Sequence, residues 1–343
     1  MKNRNLVIII AALCIVSMGA CFSPWDGSDL GRIVINFGDG GARMADGAGY
    51  TVILTGPDGT SIKRDITGGS TSFSVQPGPW NILVRAKSDS GEEQFGGANV
   101  EVIAGTAVPA YITMKQPAKI EEGTGWGGLR YLIEDRKQEF IMLSSSDVLS
   151  VENIYIEIPK GQNVTILANG TVEIIKGSIP DHSLFRIPSG SSLTLGVAGG
   201  GMDGTITIRG NNNDKNSSLI YVGKSRIKTT SSPGPSGGIL TMYEGVVLTG
   251  NTATVTVADR GGAIVVEGGT FNMYGGTISK NSAPYGGGVR VVSGTFTKTG
   301  GTIYGSNGGE NSNTARGDKN GHAVYYDASK KYIDTTLGPK DNL

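Results

Sequence analysis

The stretch Gly268-Gly-Thr-Phe-Asn-Met-Tyr-Gly-Gly-Thr-Ile-Ser-Lys-Asn281 recurs 25 residues later as Ser293-Gly-Thr-Phe-Thr-Lys-Thr-Gly-Gly-Thr-Ile-Tyr-Gly-Ser306. A fixed period of this length indicates repeat units that stack on one another. Apolar and polar residues alternate within each copy, which is the pattern of strands with one buried face. A propeller blade needs roughly 40 to 50 residues. The shorter period therefore favours a parallel β-helix, in which each strand pairs with its copy one coil further on.

Looser copies extend this pattern toward the N-terminus, and we count roughly six coils. The earliest coil uses the runs 153–158, 163–167 and 171–175, and no window from Leu143 onward shows a sustained helical period. The sequence thus predicts an all-β chain that contains a single-stranded parallel β-helix solenoid.

Stacked coils predict columns of like residues. The residues expected to form an inward apolar column are Ile208, Leu248, Ile278 and Ile303. Three residues after the first three of these lie Asn211, Asn251 and Asn281. Their amides can form hydrogen bonds along a column at the ~4.8 Å strand spacing, although asparagine is also common in turns. Phe271 and Phe296 are expected to pair in the core.

Glycine accounts for 55 of 343 residues, about twice its average usage. Because the glycines lie at fixed repeat positions, they are expected to form turns that need a positive φ. The charged positions differ between copies. Glu267, Lys280, Arg290 and Lys298 are therefore expected to be exposed, and any specificity should lie at such variable positions.

Residues 1–20 have the form of a secretory signal peptide, with basic residues, an apolar run over 6–16 and small residues before Cys21. The run is too short for a comfortable membrane span. Gly19-Ala20-Cys21 resembles the end of a bacterial lipobox, with Met18 where leucine is usual. This resemblance implies cleavage before Cys21 and lipid attachment to it. The alternative is ordinary cleavage near Ala20 and a free exported protein.

Cysteine content and charge agree with the lipoprotein hypothesis. The chain has two cysteines, and Cys14 lies inside the signal peptide, so Cys21 would have no intrachain partner after cleavage. Its lipid would hold the exported protein on a bacterial membrane, with the outer membrane expected. The chain has 30 basic and 30 acidic residues, and two of the basic ones lie in residues 1–20. The resulting near-neutral chain argues against a nucleic-acid surface.

A different pattern occupies residues 31–115, after a tether over 21–30. The expected strands are 32–37, 50–54, 71–75, 80–84, 98–102 and 108–114. Their spacing predicts a β-sandwich. The stretches Tyr50–Leu54, Phe73–Val75 and Pro77–Val84 resemble carboxypeptidase-regulatory-like or transthyretin-like sandwiches, which implies a spacer or interaction domain. An immunoglobulin-like sandwich is the alternative.

A linker is expected over 116–125, followed by the β-helix over 126–343. Leu129, Leu132 and Ile133 lie at helical spacing and predict a short helix over about 128–138. Because the open end of a solenoid exposes unpaired strand edges, this helix is expected to cap it. The helix and the strand 139–143 after it resemble the N-terminal cap of a pectate-lyase-like β-helix.

Enzymes of that architecture cleave polysaccharides, so the acidic residues matter. A hydrolase needs two carboxylates about 5 to 9.5 Å apart, and a lyase needs a Ca²⁺-binding carboxylate cluster or its equivalent and a base. The regular coils stack no acids on one another. The least implausible catalytic residues are Asp181, Asp203 and Asp214, for which turn formation is the alternative. His322 is expected to be structural. We predict no catalytic residue, no cofactor and no metal ligand.

The two repeat motifs, Gly-Gly-Thr-Phe-x-Met-x-Gly-Gly-Thr-Ile-x-x-Asn and Gly-Gly-Gly-Val-x-Val, cover about 200 residues with their looser copies. They resemble bacterial lipoproteins with glycine-rich right-handed parallel β-helices of the pectin-lyase-like, adhesin-like and polymorphic outer-membrane type. The signal at Cys21 and the absence of a stacked acid cluster favour a non-enzymatic, monomeric, lipid-anchored envelope protein. Its coil surface is expected to bind a glycan, matrix or protein ligand or to act as a structural scaffold. The alternative is a polysaccharide lyase or glycoside hydrolase of the pectate-lyase-like type.

Overall fold

A computed structural model describes residues 30–37, 49–67, 69–87, 91–121, 124–145, 147, 149–151, 154–177, 179, 182–200, 204–210, 217–223, 237–254, 261–317, 319–329 and 331–341. In these residues the regular structure is almost entirely strand, which confirms the all-β prediction. Most of the strands after residue 117 pair in parallel, in large sheets compatible with a β-helix-like fold.

The N-terminal strands form two small sheets. The strands are β1 (Gly31–Phe37), β2 (Gly49–Thr55), β3 (Ser61–Ile66), β4 (Ser70–Val75), β5 (Gly78–Lys87), β6 (Glu93–Val102) and β7 (Ala107–Ile112). One sheet has the order β4-β1-β7 and the other β3-β2-β5-β6. Both contribute to a single hydrophobic cluster, to which β1 gives Ile33 and Ile35, and β5 gives Trp80 and Ile82. The six expected strands are present, and β3 is an additional edge strand.

The next segment differs from the predicted linker and helix. Within 116–125 lies a short strand, β8 (Ala118–Lys119). Helix α1 (Gly125–Arg130) continues directly into a π-helical turn, Tyr131–Asp135. The helical segment thus lies at 125–135 rather than at 128–138. Its start is fixed by Trp126, which is buried with its ring 5.3 Å from that of Phe185 and donates a hydrogen bond to the carbonyl oxygen of Ile154.

The following strands recur in three positions, which we call strips 1, 2 and 3. Strip 2 begins with β9 (Phe140–Ser144), β12 (Asn163–Asn169), β15 (Ser192–Leu195) and β18 (Ile239–Met242). Strip 3 is a six-stranded parallel sheet of β10 (Leu149–Val151), β13 (Thr171–Lys176), β16 (Thr205–Arg209), β19 (Val246–Thr249), β21 (Thr277–Ser279) and β24 (Thr302–Ile303). Strip 1 contains β11 (Ile156–Glu157), β14 (Phe185–Ile187), β17 (Ile220–Gly223) and β26 (Val324–Tyr326).

The two longest strands of this region join strips 1 and 2. In β20 (Ile264–Met273) and β23 (Val289–Lys298) the first half pairs within strip 1 and the second half within strip 2. The remaining short strands are β22 (Ser282–Ala283), β25 (Thr314–Ala315) and β27 (Lys331–Ile333). The chain repeatedly passes from strip 2 to strip 3 and then to strip 1, so each strand pairs with its counterpart from the next repeat.

The predicted apolar column is confirmed. In strip 3, Ile208 pairs with Leu248, Leu248 with Ile278 and Ile278 with Ile303, and all four side chains are fully buried. Phe271 and Phe296 are a second confirmed pair. Their rings are stacked and nearly parallel, with centroids 4.8 Å apart and an interplanar angle of 4°.

An asparagine column is also present. The backbone N–H of Asn251 donates to Oδ1 of Asn281, and the backbone N–H of Asn281 donates to Oδ1 of Asn313, at 3.1 and 2.9 Å. All three side chains are fully buried. Asn211, expected in this column, lies outside the described residues, whereas Asn313 was not predicted.

Glycines serve two purposes in the repeats. Gly276 and Gly301 have φ values of 82° and 72°, as expected for left-handed turns. Gly262 has a different role, because a Cβ at this position would overlap the carbonyl oxygen of Gly287 in the next repeat. Close approach of neighbouring backbones is therefore a second reason for the high glycine content.

The expected exposure of the variable charged residues is partly wrong. Lys298 is fully buried, and its Nζ donates to the carbonyl oxygens of Gly338 and Asp341. Arg290 is 6% exposed and forms a bidentate ion pair with Asp327. Both cations hold the C-terminal segment, in which β27 runs antiparallel to β26. These charges were misassigned because their partners lie about 40 residues away in sequence.

Candidate functional site

A cleft of about 770 Å³ lies between the four-stranded N-terminal sheet and strip 2. Its size falls within the range of about 300 to 1,000 Å³ that is typical of ligand pockets. One wall is the outer surface of strip 2, and the other is formed mainly by residues of β5 and β6, with Ile53 and Thr55 of β2. Successive side chains of a strand point to opposite faces of its sheet. The residues that alternate with the buried core positions of these strands therefore line the cleft.

The wall formed by strip 2 carries two parallel ladders of mostly hydroxyl and amide side chains. The first ladder is Thr165, Thr194, Thr241, Asn272 and Thr297, in which each residue pairs with the next. The second ladder is Asn163, Ser192, Ile239, Thr270 and Thr295. Neighbouring members lie on adjacent strands, about 4.8 Å apart. A regular grid of hydrogen-bonding groups therefore faces the cleft.

The opposite wall is mostly apolar and carries one exposed pair of amide side chains. Nδ2 of Asn81 on β5 donates to Oδ1 of Asn99 on β6 at 2.8 Å. Leu83 and Gly97 lie beside this amide pair. The two asparagines are exposed, so their remaining hydrogen-bonding groups are available to a ligand.

Aromatic and aliphatic side chains hold the two walls together. Phe95 of β6 stacks against Phe140 of β9, with ring centroids 6.1 Å apart. At the other contact, the Tyr243 hydroxyl donates to Oγ1 of Thr55 at 3.3 Å, and its ring stacks on that of Tyr274 at 5.4 Å. Burial raises the pKa of both tyrosines. They therefore stay neutral at physiological pH and add no charge to the cleft.

Among the described residues that line the cleft, Glu101 and Glu139 are the charged ones. Glu139 forms an ion pair with Lys115, with Nζ and Oε2 2.6 Å apart. The cleft therefore offers hydrogen bonds and apolar contacts, and it lacks a basic lining for polyanions in this part of the chain.

A second pocket, of about 640 Å³, lies beside the helical segment. It is lined by charged residues that pair with one another, including Arg130 with Glu134. Below them, Arg186 is buried, lies 5.0 Å from the ring centroid of Tyr221 and contacts Glu157 at 3.5 Å. These contacts are compatible with a structural role for the charges.

Most of the site residues that the sequence predicts are not among the residues that the structure describes. Cys21, Asp181, Asp203 and Asp214 lie outside the described residues. His182 lies in the second pocket with its ring 4.5 Å from that of Tyr155. Arg209, which separates two of these acids in sequence, pairs instead with Glu173 on the neighbouring strand.

Three further observations concern the described residues. His322 accepts a hydrogen bond from the backbone of Ala315, and its own backbone N–H donates to Asp334, consistent with the expected structural role. Within the described ranges, no group of three or more histidine, cysteine or acidic residues is arranged to hold a metal ion. No helix in those ranges is long and apolar enough to cross a membrane.

Sequence reasoning missed the cleft. The threonines at the second outward position of each repeat were a usable signal, since Thr194, Thr241 and Thr297 each lie between buried residues. The sequence of the opposite wall does not indicate that it lines a cleft, because residues 81–99 contain no copy of the repeat motifs.

No protein-family model matches this chain, and the comparison with curated proteins finds no match either.

Proposed function

We propose that this chain is a non-enzymatic, lipid-anchored protein of the bacterial cell envelope that binds a ligand in the cleft between its two parts. The observation that carries this proposal is the cleft of about 770 Å³, in which the two mostly polar ladders of strip 2 face a sheet that carries the amide pair of Asn81 and Asn99. Hydrogen-bonding groups in this arrangement suit recognition. The described cleft lining has two carboxylates, on Glu101 and Glu139, and one of them is neutralised by Lys115.

The finer architecture that we propose is a right-handed parallel β-helix preceded by a β-sandwich of the carboxypeptidase-regulatory or transthyretin-like type. The recurrence of the three strips in constant order and the in-register parallel pairing support the β-helix. The right hand follows from the strong preference of parallel crossovers. The hydrophobic cluster shared by the two N-terminal sheets supports the sandwich. In this arrangement the sandwich separates the β-helix from the membrane and forms one wall of the cleft.

The lipid anchor gives a direct prediction. Cells that produce the wild-type chain and are labelled with radioactive palmitate should yield a labelled protein, whereas Cys21→Ser should lose the label and leave the membrane fraction. The reason is that Cys21 is the proposed acylation site and bound acyl chains provide membrane affinity. Cys14→Ser is the matched control and should remain labelled. Persistent labelling of Cys21→Ser would contradict the anchor.

The binding function can be separated from catalysis in one experiment. The full chain, purified in detergent, is applied to an array of neutral glycans, acidic glycans and matrix proteins, and each bound ligand is recovered and analysed by mass spectrometry. We expect retention of at least one ligand in unchanged form. Shortened polyuronates would instead support the lyase or hydrolase alternative, especially if cleavage vanished in Asp203→Ala. Retention of none of the ligand classes by the folded chain would refute ligand binding.

A further inference from the structure

We infer that the ligand of the cleft is a neutral, extended polysaccharide chain that lies along the two ladders of strip 2. This inference rests on the proposed binding function and names its ligand class. Four features of the cleft support it: the available hydroxyls, the spacing of the ladders, the absence of cationic lining residues in the described part, and the paired backbone of the strip 2 wall.

The hydroxyls of the first ladder are available to a ligand. In the described part of the chain, the side chains of Thr194 and Thr241 have no hydrogen-bond partner. Both are partly exposed and line the cleft. A hydroxyl both donates and accepts hydrogen bonds, as do the hydroxyls of a sugar. The ladders therefore match a ligand that presents hydroxyls along its whole length.

The spacing favours a polymer. Successive ladder members are about 4.8 Å apart along the stacking direction, and the two ladders are two residues apart along each strand. An extended chain of pyranose rings advances by a similar length per sugar unit. A linear glycan can thus place one sugar unit against each strand and repeat the same contacts from β12 to β23.

Charge disfavours polyanionic ligands. The charged side chains in the described cleft lining belong to Glu101 and Glu139, and neither offers positive charge to a ligand. A uronate polymer or a phosphate-rich chain would enter without cationic partners in the described lining and would be repelled by Glu101, whereas the charge of Glu139 is balanced by Lys115. Neutral sugars have no such cost.

The form of the walls disfavours a peptide. Extended peptides commonly bind by adding a strand to the open edge of a sheet. The strip 2 wall, along which the ligand is proposed to lie, is a sheet face. The backbone groups of β15, β18 and β20 are already paired with their neighbours in strip 2. On the strip 2 wall, only side chains therefore remain for recognition. Ile239, with Leu83 on the opposite wall, adds apolar contacts that suit the C–H faces of sugar rings.

Calorimetric titration tests this ligand class. The full chain in detergent is titrated with cellohexaose, mannohexaose and the hexasaccharide of chitin, and with hexagalacturonate for comparison. We expect at least one neutral hexasaccharide to bind and hexagalacturonate to bind at least about tenfold more weakly. The double variant Thr194→Val/Thr241→Val should weaken neutral binding at least about tenfold, because it removes two hydrogen-bonding hydroxyls. Thr207→Val, on the strip 3 strand β16, is the matched control and should bind like the wild type.

Each result has a defined meaning. Failure of all three neutral chains to bind, or equal binding of hexagalacturonate, would overturn the ligand class. The binding function itself would survive this failure if a ligand from the array were lost in the double variant. Unchanged neutral binding in the double variant, with an unchanged thermal midpoint, would overturn the location. Cleavage of a bound neutral chain would overturn the non-enzymatic function and leave the ligand class intact.

Discussion

We expect Gly262→Ala to destabilise the chain by more than about 3 kcal/mol, the upper end of the usual cost of overpacking. Gly262 is buried, and an added Cβ would overlap the carbonyl oxygen of Gly287 and lie 3.0 Å from Cβ of Asn281. Rotation of a side chain cannot relieve the first overlap, because the obstructing atom belongs to the backbone of the next repeat. The two repeats would have to separate.

Separation of these repeats would break further contacts. The N–H of Gly262 donates to the carbonyl oxygen of Gly286 at 3.0 Å, and its own carbonyl oxygen accepts a hydrogen bond from Nδ2 of Asn251 at 2.7 Å. A shift of Gly262 therefore disturbs both the pairing between repeats and the asparagine column. Since protein interiors are close-packed, such a shift is transmitted to neighbouring repeats.

Urea unfolding followed by circular dichroism measures this effect. The matched control is Gly127→Ala in helix α1, where an added Cβ meets no atom within 4 Å. This substitution should be neutral or stabilising by up to about 1 kcal/mol, because alanine is a better helix former than glycine. Equal midpoints for the two variants would contradict the close approach of the repeats.

The repeated positions were predictable from sequence because identical spacing produces identical register. Ile278 and Ile303, and likewise Phe271 and Phe296, lie one period apart and pair as expected. Asn313 was missed since ten residues separate it from Ile303, whereas three separate Asn281 from Ile278. The chain makes an additional turn at Gly309–Asn311 and then returns to the column. Because the insertion breaks the fixed spacing, a search for residues one period apart does not find Asn313.

The cleft was not predictable, because its two walls come from segments with unrelated patterns. Asn81 and Asn99 have no counterpart among the repeats, and their position opposite strip 2 depends on packing between Phe95 and Phe140. The edge strand β3 was missed for a related reason. Lys63, Arg64 and Asp65 leave it without the apolar alternation that marks a half-buried strand.

The ladders also change where specificity is expected. The sequence suggested that specificity lies where the repeats differ, but the variable Lys298 and Arg290 are buried and bind the C-terminal segment. The residues that face the cleft are instead similar from repeat to repeat, as with Thr194 and Thr241. Similar groups at regular intervals suit a ligand that is itself periodic, whereas variable groups suit an irregular surface.

Asn281→Ala is expected to cost about 4 kcal/mol, because it leaves several buried polar groups without partners. Nδ2 of Asn281 donates to the carbonyl oxygens of Leu248 and Ser279 at 3.1 and 2.8 Å, and Oδ1 accepts the N–H of Asn251. Each orphaned buried group costs about 1 to 3 kcal/mol. Asn169→Ala is the control, since Asn169 is exposed at the end of β12, and it should change stability by no more than about 0.5 kcal/mol.

Asn281→Asp separates the donor role from the acceptor role of this side chain. An ionised carboxylate still accepts the N–H of Asn251 but faces the carbonyl oxygens of Leu248 and Ser279 without a proton to donate. Burial and these acceptors would raise the pKa of the new carboxyl group above its ordinary value of about 3.9. The folded state then favours the protonated form. The variant should therefore be closest to wild type below about pH 4 and lose stability as the pH rises through the raised pKa. Urea midpoints of both proteins between pH 3 and pH 8 measure the difference, and a deficit that is constant over this range would contradict the donor role of Asn281.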